Sequence, residues 1–129
     1  MADSPPNGVH RNGVRVLIVD DHFDTAASMA QLLTLLGHEV RFAEGAGRGL
    51  ELVRDWSPQV AIIDVRMSQM DGFEFARRLR EIVRSPIKLV AMTGFTRARE
   101  KTESMAEGFH HHLVKPFELD KLLEILDEV

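Results

Sequence analysis

Apolar and polar positions along the chain fall into two alternating rhythms. Val14-Arg15-Val16-Leu17-Ile18-Val19 and Val60-Ala61-Ile62-Ile63 are short, rich in β-branched residues and almost unbroken. Runs of this kind read as strands buried on both faces. Each ends in carboxylates, Asp20-Asp21 after the first and Asp64 after the second. From Phe23 to Leu36 the residues Ala26, Met29, Ala30, Leu33 and Leu36 recur at helical spacing, and Gly37 follows where a left-handed C-terminal residue belongs. A short strand over His38 to Ala43 and a helix over Ala46 to Trp56, with Leu50 and Val53 inward, lead to Pro58 and the central strand. After Asp71-Gly72, an apolar stripe of Phe75, Ala76, Leu79, Ile82 and Val83 stands opposite Glu74, Arg77, Arg78 and Glu81, which predicts a third helix. Ile87 to Met92 repeats the strand pattern and runs into Thr93-Gly94. A weakly apolar helix over 97–107, Gly108, and a fifth strand near Phe109 to Val114 come next, closed by Lys115-Pro116. Leu119, Leu122, Leu123, Leu126 and Val129 form the stripe of a last helix whose outer face carries Asp120, Lys121, Glu124 and Asp127.

Strands and helices in strict alternation predict a single-domain α/β fold, doubly wound: a five-stranded parallel sheet with right-handed crossovers and helices on both faces. Such a sheet places ligands at the carboxyl ends of its strands. That edge would gather Asp20, Asp21, Asp64, Thr93 and Lys115 from distant parts of the sequence. Each has a plainer reading in isolation: an acidic pair in a solvated turn, a capping Asp, a turn Thr-Gly, a surface lysine. Together they have a chemistry. Neighbouring carboxylates repel and raise one another's pKa unless a cation sits among them, and a hard oxygen-ligated dication such as Mg²⁺ suits them. Asp20 and Asp21 are the metal candidates, and Asp64 is the candidate nucleophile for an acyl phosphate. Lys115 would neutralise phosphoryl charge and Thr93 would donate a hydrogen bond to it.

Composition narrows the classes. A chain of 129 residues is one domain's worth and can bury roughly two thirds of its unfolded surface. A net charge of −4 provides no electrostatic footprint for direct nucleic-acid or anionic-membrane binding. With no cysteine there is no disulfide, thiolate metal site or cysteine nucleophile, which fits a cytoplasmic protein. Residues 1–13 hold Pro5-Pro6-Asn7-Gly8 and Gly13 without an apolar h-region and read as a flexible N-terminal tail, leaving 14–129 as the domain. No apolar run is long enough to span a bilayer. Gly45-Ala46-Gly47-Arg48-Gly49 lacks dinucleotide-loop spacing and reads as a flexible helix start. Strand alternation splits His110, His111 and His112 between two faces, so that run is not read as a metal site.

Five motifs in order, Asp20-Asp21, Asp64-x-x-Met67, Asp71-Gly72, Thr93-Gly94 and Lys115-Pro116-Phe117, resemble those of the receiver domains of two-component response regulators. The resemblance covers residues 14–129 and extends to stand-alone receivers and those of hybrid histidine kinases. It implies a flavodoxin-like (βα)5 fold with strand order 2-1-3-4-5. It also implies Mg²⁺-dependent transfer of phosphate to Asp64 from a sensor histidine kinase or histidine phosphotransfer protein, with the Arg66 backbone carbonyl lent to the metal. The chain would then be no enzyme beyond its own phosphorylation and dephosphorylation. Its implied partners are that kinase, a downstream protein target, and a second copy bound through the last two strand-helix units, a face that includes Lys121, Glu124 and His112.

Three departures from the family pattern stand out. Ser68 stands where many relatives carry proline, which loosens the loop over the site. His112 takes the place of the usual aromatic switch residue. Arg66 and Phe95 flank the path of the hydrolytic water; neither can serve as its general base, so a long-lived phosphorylated state is expected. Two other classes compete with a phosphoacceptor module. A phosphohydrolase would need a second Asp two residues after Asp64, where Arg66 stands. A receiver-like domain that signals by binding alone would not need the five intact site residues.

Overall fold

The computed structural model describes residues 13–67, 70–93, 108–114 and 119–129. Within them the chain runs β1 (Arg15–Val19), α1 (Phe23–Leu35), β2 (Glu39–Ala43), α2 (Ala46–Trp56), β3 (Val60–Asp64), α3 (Gly72–Ile82), β4 (Lys88–Thr93), β5 (His111–Val114) and α4 (Leu119–Asp127). Residues 1–12 of the expected tail, the expected helix over 97–107, and the site candidates Ser68, Phe95 and Lys115 lie outside the described residues.

All strand pairs are parallel, in the order β2-β1-β3-β4-β5. Strands at the centre are buried on both faces, which is why β1, β3 and β4 read as continuous apolar runs. Alternation then divides the core in two. Leu17, Val19, Ala61, Ile63, Leu89 and Ala91 face α2 and α3, where Phe75, Leu79, Leu52 and Val53 cover them. Val16, Ile18, Val60, Ile62, Val90 and Met92 face α1 and α4, under Met29, Leu33, Leu122, Ile125 and Leu126. The carboxyl-edge geometry that positions the site is thus clamped from both sides.

Helix boundaries follow local chemistry. Gly37 adopts φ 101° after α1, the left-handed conformation that glycine takes without a steric penalty. The Asp71 side chain accepts the Glu74 N–H at 2.9 Å and starts α3. α2 ends at Ser57, at φ 57°, whose carbonyl accepts from Arg15 Nε at 3.0 Å. The apolar stripes are shorter than the sequence predicts. Ile82, Leu119 and Val129 are exposed; the first two stand at the ends of α3 and α4, and Val129 follows α4. Leu52 and Ile125, absent from the predicted stripes, are buried instead.

Candidate functional site

The register builds the site. Val19 pairs with Ile63, so the next step along both strands brings Asp20 alongside Asp64, and Asp64 itself pairs with Met92, one residue before Thr93. Asp20, Asp64 and Thr93 are all buried, although polar, at the carboxyl edge of an otherwise apolar sheet. Burying carboxylates is costly unless their oxygens are engaged. The chain engages one oxygen of each in the same way. Asp20 Oδ1 accepts the His22 N–H at 2.9 Å, and Asp64 Oδ1 accepts the Arg66 N–H at 3.0 Å. These bonds to the residue two positions on are Asx-type turns. They hold each carboxylate as its strand ends and set its orientation by backbone, not by a mobile side chain.

The Asp71-Gly72 motif packs directly behind this edge. Gly72 N donates to Val65 O at 3.0 Å, docking the first turn of α3 on the end of β3. A Cβ on Gly72 would fall 2.6 Å from Val65 Cα and 2.7 Å from Asp64 O. Only glycine permits that approach, so the motif fixes where Asp64 sits.

Four side chains from the carboxyl ends of β1 and β3 converge: Asp20, Asp21, His22 and Asp64 offer ligand atoms that all lie within 4.8 Å of one another. Three hard carboxylates at that spacing fit the donor set of a divalent cation, the role expected of Asp20 and Asp21. His22 is an addition that the sequence does not signal as a ligand. Its Nδ1 lies 3.1 Å from Asp20 Oδ1, 3.2 Å from Asp21 Oδ1 and 3.7 Å from Asp64 Oδ2. As the residue directly after an acidic pair it reads in sequence as a solvated helix start, and its side chain is indeed 65% exposed. The one signal available is its adjacency to two metal candidates.

On the neighbouring strands, Thr93 Oγ1 is 3.2 Å from His112 Nε2, both groups buried. His112 therefore lies inside the domain beside Thr93. It is not exposed with Lys121 and Glu124 as the expected partner face required, because its strand position opposite Ala91 points it into the core. The other histidines of the run go elsewhere. His110 Nδ1 accepts from Leu89 N at 3.0 Å, and His111 Nε2 is 3.0 Å from Glu128 Oε1. The run forms no metal cluster among the described residues. Arg66 is exposed beside the site.

Residues 16–127 match the sequence profile described as the response regulator receiver domain. The chain is 31% identical over 109 residues to the regulatory protein AtoC of Escherichia coli, spanning 84% of this chain and 23% of AtoC. It is 30% identical over 116 residues to the protein PilH of Pseudomonas aeruginosa, spanning 89% of this chain and 96% of PilH. Among solved structures, the chemotaxis protein CheY4 of Vibrio cholerae superposes with a TM-score of 0.80 at 30% identity, over 91% of this chain and 98% of that one. A CheY-like receiver from Methanospirillum hungatei gives 0.81 at 29% identity, over 90% and 92%. The chain thus spans less than a quarter of AtoC, and 47% of the response regulator MprA of a Mycobacterium species.

Proposed function

The chain belongs to the response regulator receiver domains, and from that premise we propose that it accepts a phosphoryl group on Asp64 from a histidine kinase or histidine phosphotransfer protein and so switches its binding to a downstream partner. The observation that carries this reading is the convergence of buried Asp20 and Asp64 with Asp21 at one sheet edge, one step in register from Thr93. A buried carboxylate with one oxygen tied to backbone and the other turned toward an acidic cluster is arranged for nucleophilic attack once the local charge is balanced.

Mg²⁺ would be held by Asp20, Asp21 and Asp64 with the backbone carbonyl of Arg66, and when bound it would offset the charge on the transferring phosphoryl oxygens. Asp64 then supplies the attacking oxygen. Its lone pair forms the new O–P bond as the P–N bond to the donor imidazole breaks, and the leaving nitrogen keeps the electron pair and takes up a proton. We assign Oδ2 as the attacking atom, since Oδ1 accepts the Arg66 N–H at 3.0 Å. Thr93 exchanges its His112 contact for a phosphoryl oxygen, and Lys115 adds positive charge. That exchange is the coupling we assign between phosphorylation and the β4–β5 edge, with His112 as a polar stand-in for an aromatic switch. The chain turns over no separate substrate and acts only on its own phosphoryl state. No helix among the described residues is long and apolar enough to cross a membrane, and a cytoplasmic location agrees with a kinase donor.

The experiment is to incubate the protein with Mg²⁺ and a small-molecule phosphodonor and weigh it intact. The wild type gains one phosphoryl group that hydroxylamine removes, and Asp64→Asn gains none, since its amide keeps the shape but cannot form the acyl phosphate. Undiminished labelling of Asp64→Asn would remove Asp64 from the role.

A further inference from the structure

His22 immediately precedes α1, at the place where Ser, Thr, Asp or Asn would satisfy the free N–H groups of the first turn. It makes no such cap: its backbone is extended, at φ −98° and ψ 102°, and its side chain forms no bond to the helix. The imidazole turns back over the strand ends instead, and its Nδ1 stands among oxygens of Asp20, Asp21 and Asp64. Local helix chemistry therefore does not account for its position.

A hydrogen-bond contact of the imidazole Nδ1 with Asp20 Oδ1 at 3.1 Å holds it there, and the same spacing fits ligand geometry. Metal bonds of about 2.1 Å at right angles place neighbouring ligand atoms roughly 3.0 Å apart, and opposite ones roughly 4.2 Å apart. The separations of 3.1 and 3.2 Å from His22 Nδ1 to Asp20 and Asp21 match neighbours in such a shell, and 3.7 Å to Asp64 lies between the two cases. All four ligand atoms also stay within 4.8 Å of one another, about half an ångström beyond the widest separation in such a shell, so a small closure of the carboxylates completes it.

The kind of donor decides the kind of ion. Mg²⁺ takes oxygen ligands and keeps several waters, so a nitrogen does little for it. Imidazole suits first-row transition ions, among which Mn²⁺, Co²⁺ and Zn²⁺ also accept carboxylates. We propose that His22 is a direct ligand for a transition dication at the Asp20, Asp21 and Asp64 site, and that it biases the site toward such ions relative to Mg²⁺. The inference rests on the reading of this acidic edge as a dication site. It adds that the chain selects among ions through one exposed residue, so that the ion in the site depends on the transition-metal supply as well as on Mg²⁺.

The test uses the full chain stripped of metal, with Mn²⁺ and Mg²⁺ affinities measured separately by titration calorimetry for the wild type and His22→Ala. The ratio of Mn²⁺ to Mg²⁺ affinity is expected to fall at least about tenfold in the variant. In parallel, long-range proton–nitrogen correlation spectra of the imidazoles are recorded with Zn²⁺. Since the chain has six histidines, the spectrum of His22→Ala identifies the His22 signal, and its Nδ1 resonance should move on adding one equivalent. An unchanged affinity ratio, or Zn²⁺ shifts confined to other histidines, overturns the inference and leaves His22 an ion-pair partner of the acidic cluster only. That outcome leaves the phosphoacceptor reading standing. A wild type that binds neither ion would overturn both.

Discussion

Replacing Gly72 by alanine adds one methyl group at a position where the neighbours are backbone. The new Cβ would sit 2.6 Å from Val65 Cα, 2.7 Å from Asp64 O and 3.1 Å from Ile63 Cγ2, and the first two cannot rotate away. Either α3 lifts off the end of β3, stretching the bond from Gly72 N to Val65 O, or the strand end that carries Asp64 moves. Overpacking of this kind costs about 1–3 kcal/mol, and with backbone on both sides the upper half applies, about 2–3 kcal/mol. Unfolding entropy near 2.1 cal/mol/K per residue over the span 16–127 that matches the family makes each kcal/mol about 4 °C, so Tm should fall by about 8–12 °C. Gly47→Ala is the control. Nothing lies within 4 Å of its Cβ, and it sits in the first turn of α2, so the substitution should stabilise by about 0.5–1 kcal/mol and raise Tm by about 2–4 °C. Differential scanning calorimetry reads both. At a temperature where Gly72→Ala is still folded, its rate of labelling by a small phosphodonor should fall as well, because the Asp64 carbonyl is one of the atoms displaced. An unchanged Tm and unchanged labelling would refute the claim that this glycine sets the position of the site.

Asp21→Ala should weaken Mg²⁺ binding at least about tenfold, roughly 1.4 kcal/mol, while raising Tm in metal-free buffer by removing one of the mutually repelling carboxylates; an unchanged Mg²⁺ titration would exclude Asp21 as a ligand. Glu128 is held below its ordinary carboxylate value by the Lys88 ammonium at 2.9 Å and then by the His111 imidazole at 3.0 Å. A depressed folded-state pKa means its stabilisation is present above the ordinary value of 4.5 and lost as pH falls through the lower folded value. The Tm difference between wild type and Glu128→Gln should therefore shrink as pH drops below that point, and a difference that does not change with pH contradicts the assignment. Arg66→Asn combined with Phe95→Glu should speed first-order loss of phosphate in Mg²⁺ with donor removed, by about tenfold for each 1.4 kcal/mol taken off the barrier; equal or slower decay sinks the idea that these side chains shield the phosphoryl group.

Periodicity alone makes the fold class legible, because β1, β3 and β4 are buried on both faces and must be apolar throughout. It cannot order them. Every central strand looks alike from its own residues, and the 2-1-3-4-5 order comes from the motif resemblance. Asp20, Asp21 and Asp64 are legible because a carboxylate that ends an apolar strand is conspicuous. His22 is not, since its role depends on a side-chain rotation that no spacing encodes. The inward turn of His112 is hidden for a related reason: a polar residue in a short edge strand can face either way, and only the pairing with Ala91 decides. The misread helix stripes show the limit of amphipathic patterning, which marks the face of a helix and not how far along it burial extends.

The strand order has a consequence for how the chain assembles as it is made. Once β1, β2 and β3 have paired, β4 joins the free edge of β3 and β5 joins the free edge of β4, so the sheet is extended in one direction in the order of synthesis. No later strand has to be inserted between two that are already paired. β3, which carries Asp64, is the pivot of this order, last of the opening trio and template for β4. Asp20 and Asp64 therefore meet through strands drawn from the first half of the chain, and Thr93 is added to their edge by a strand from the second half.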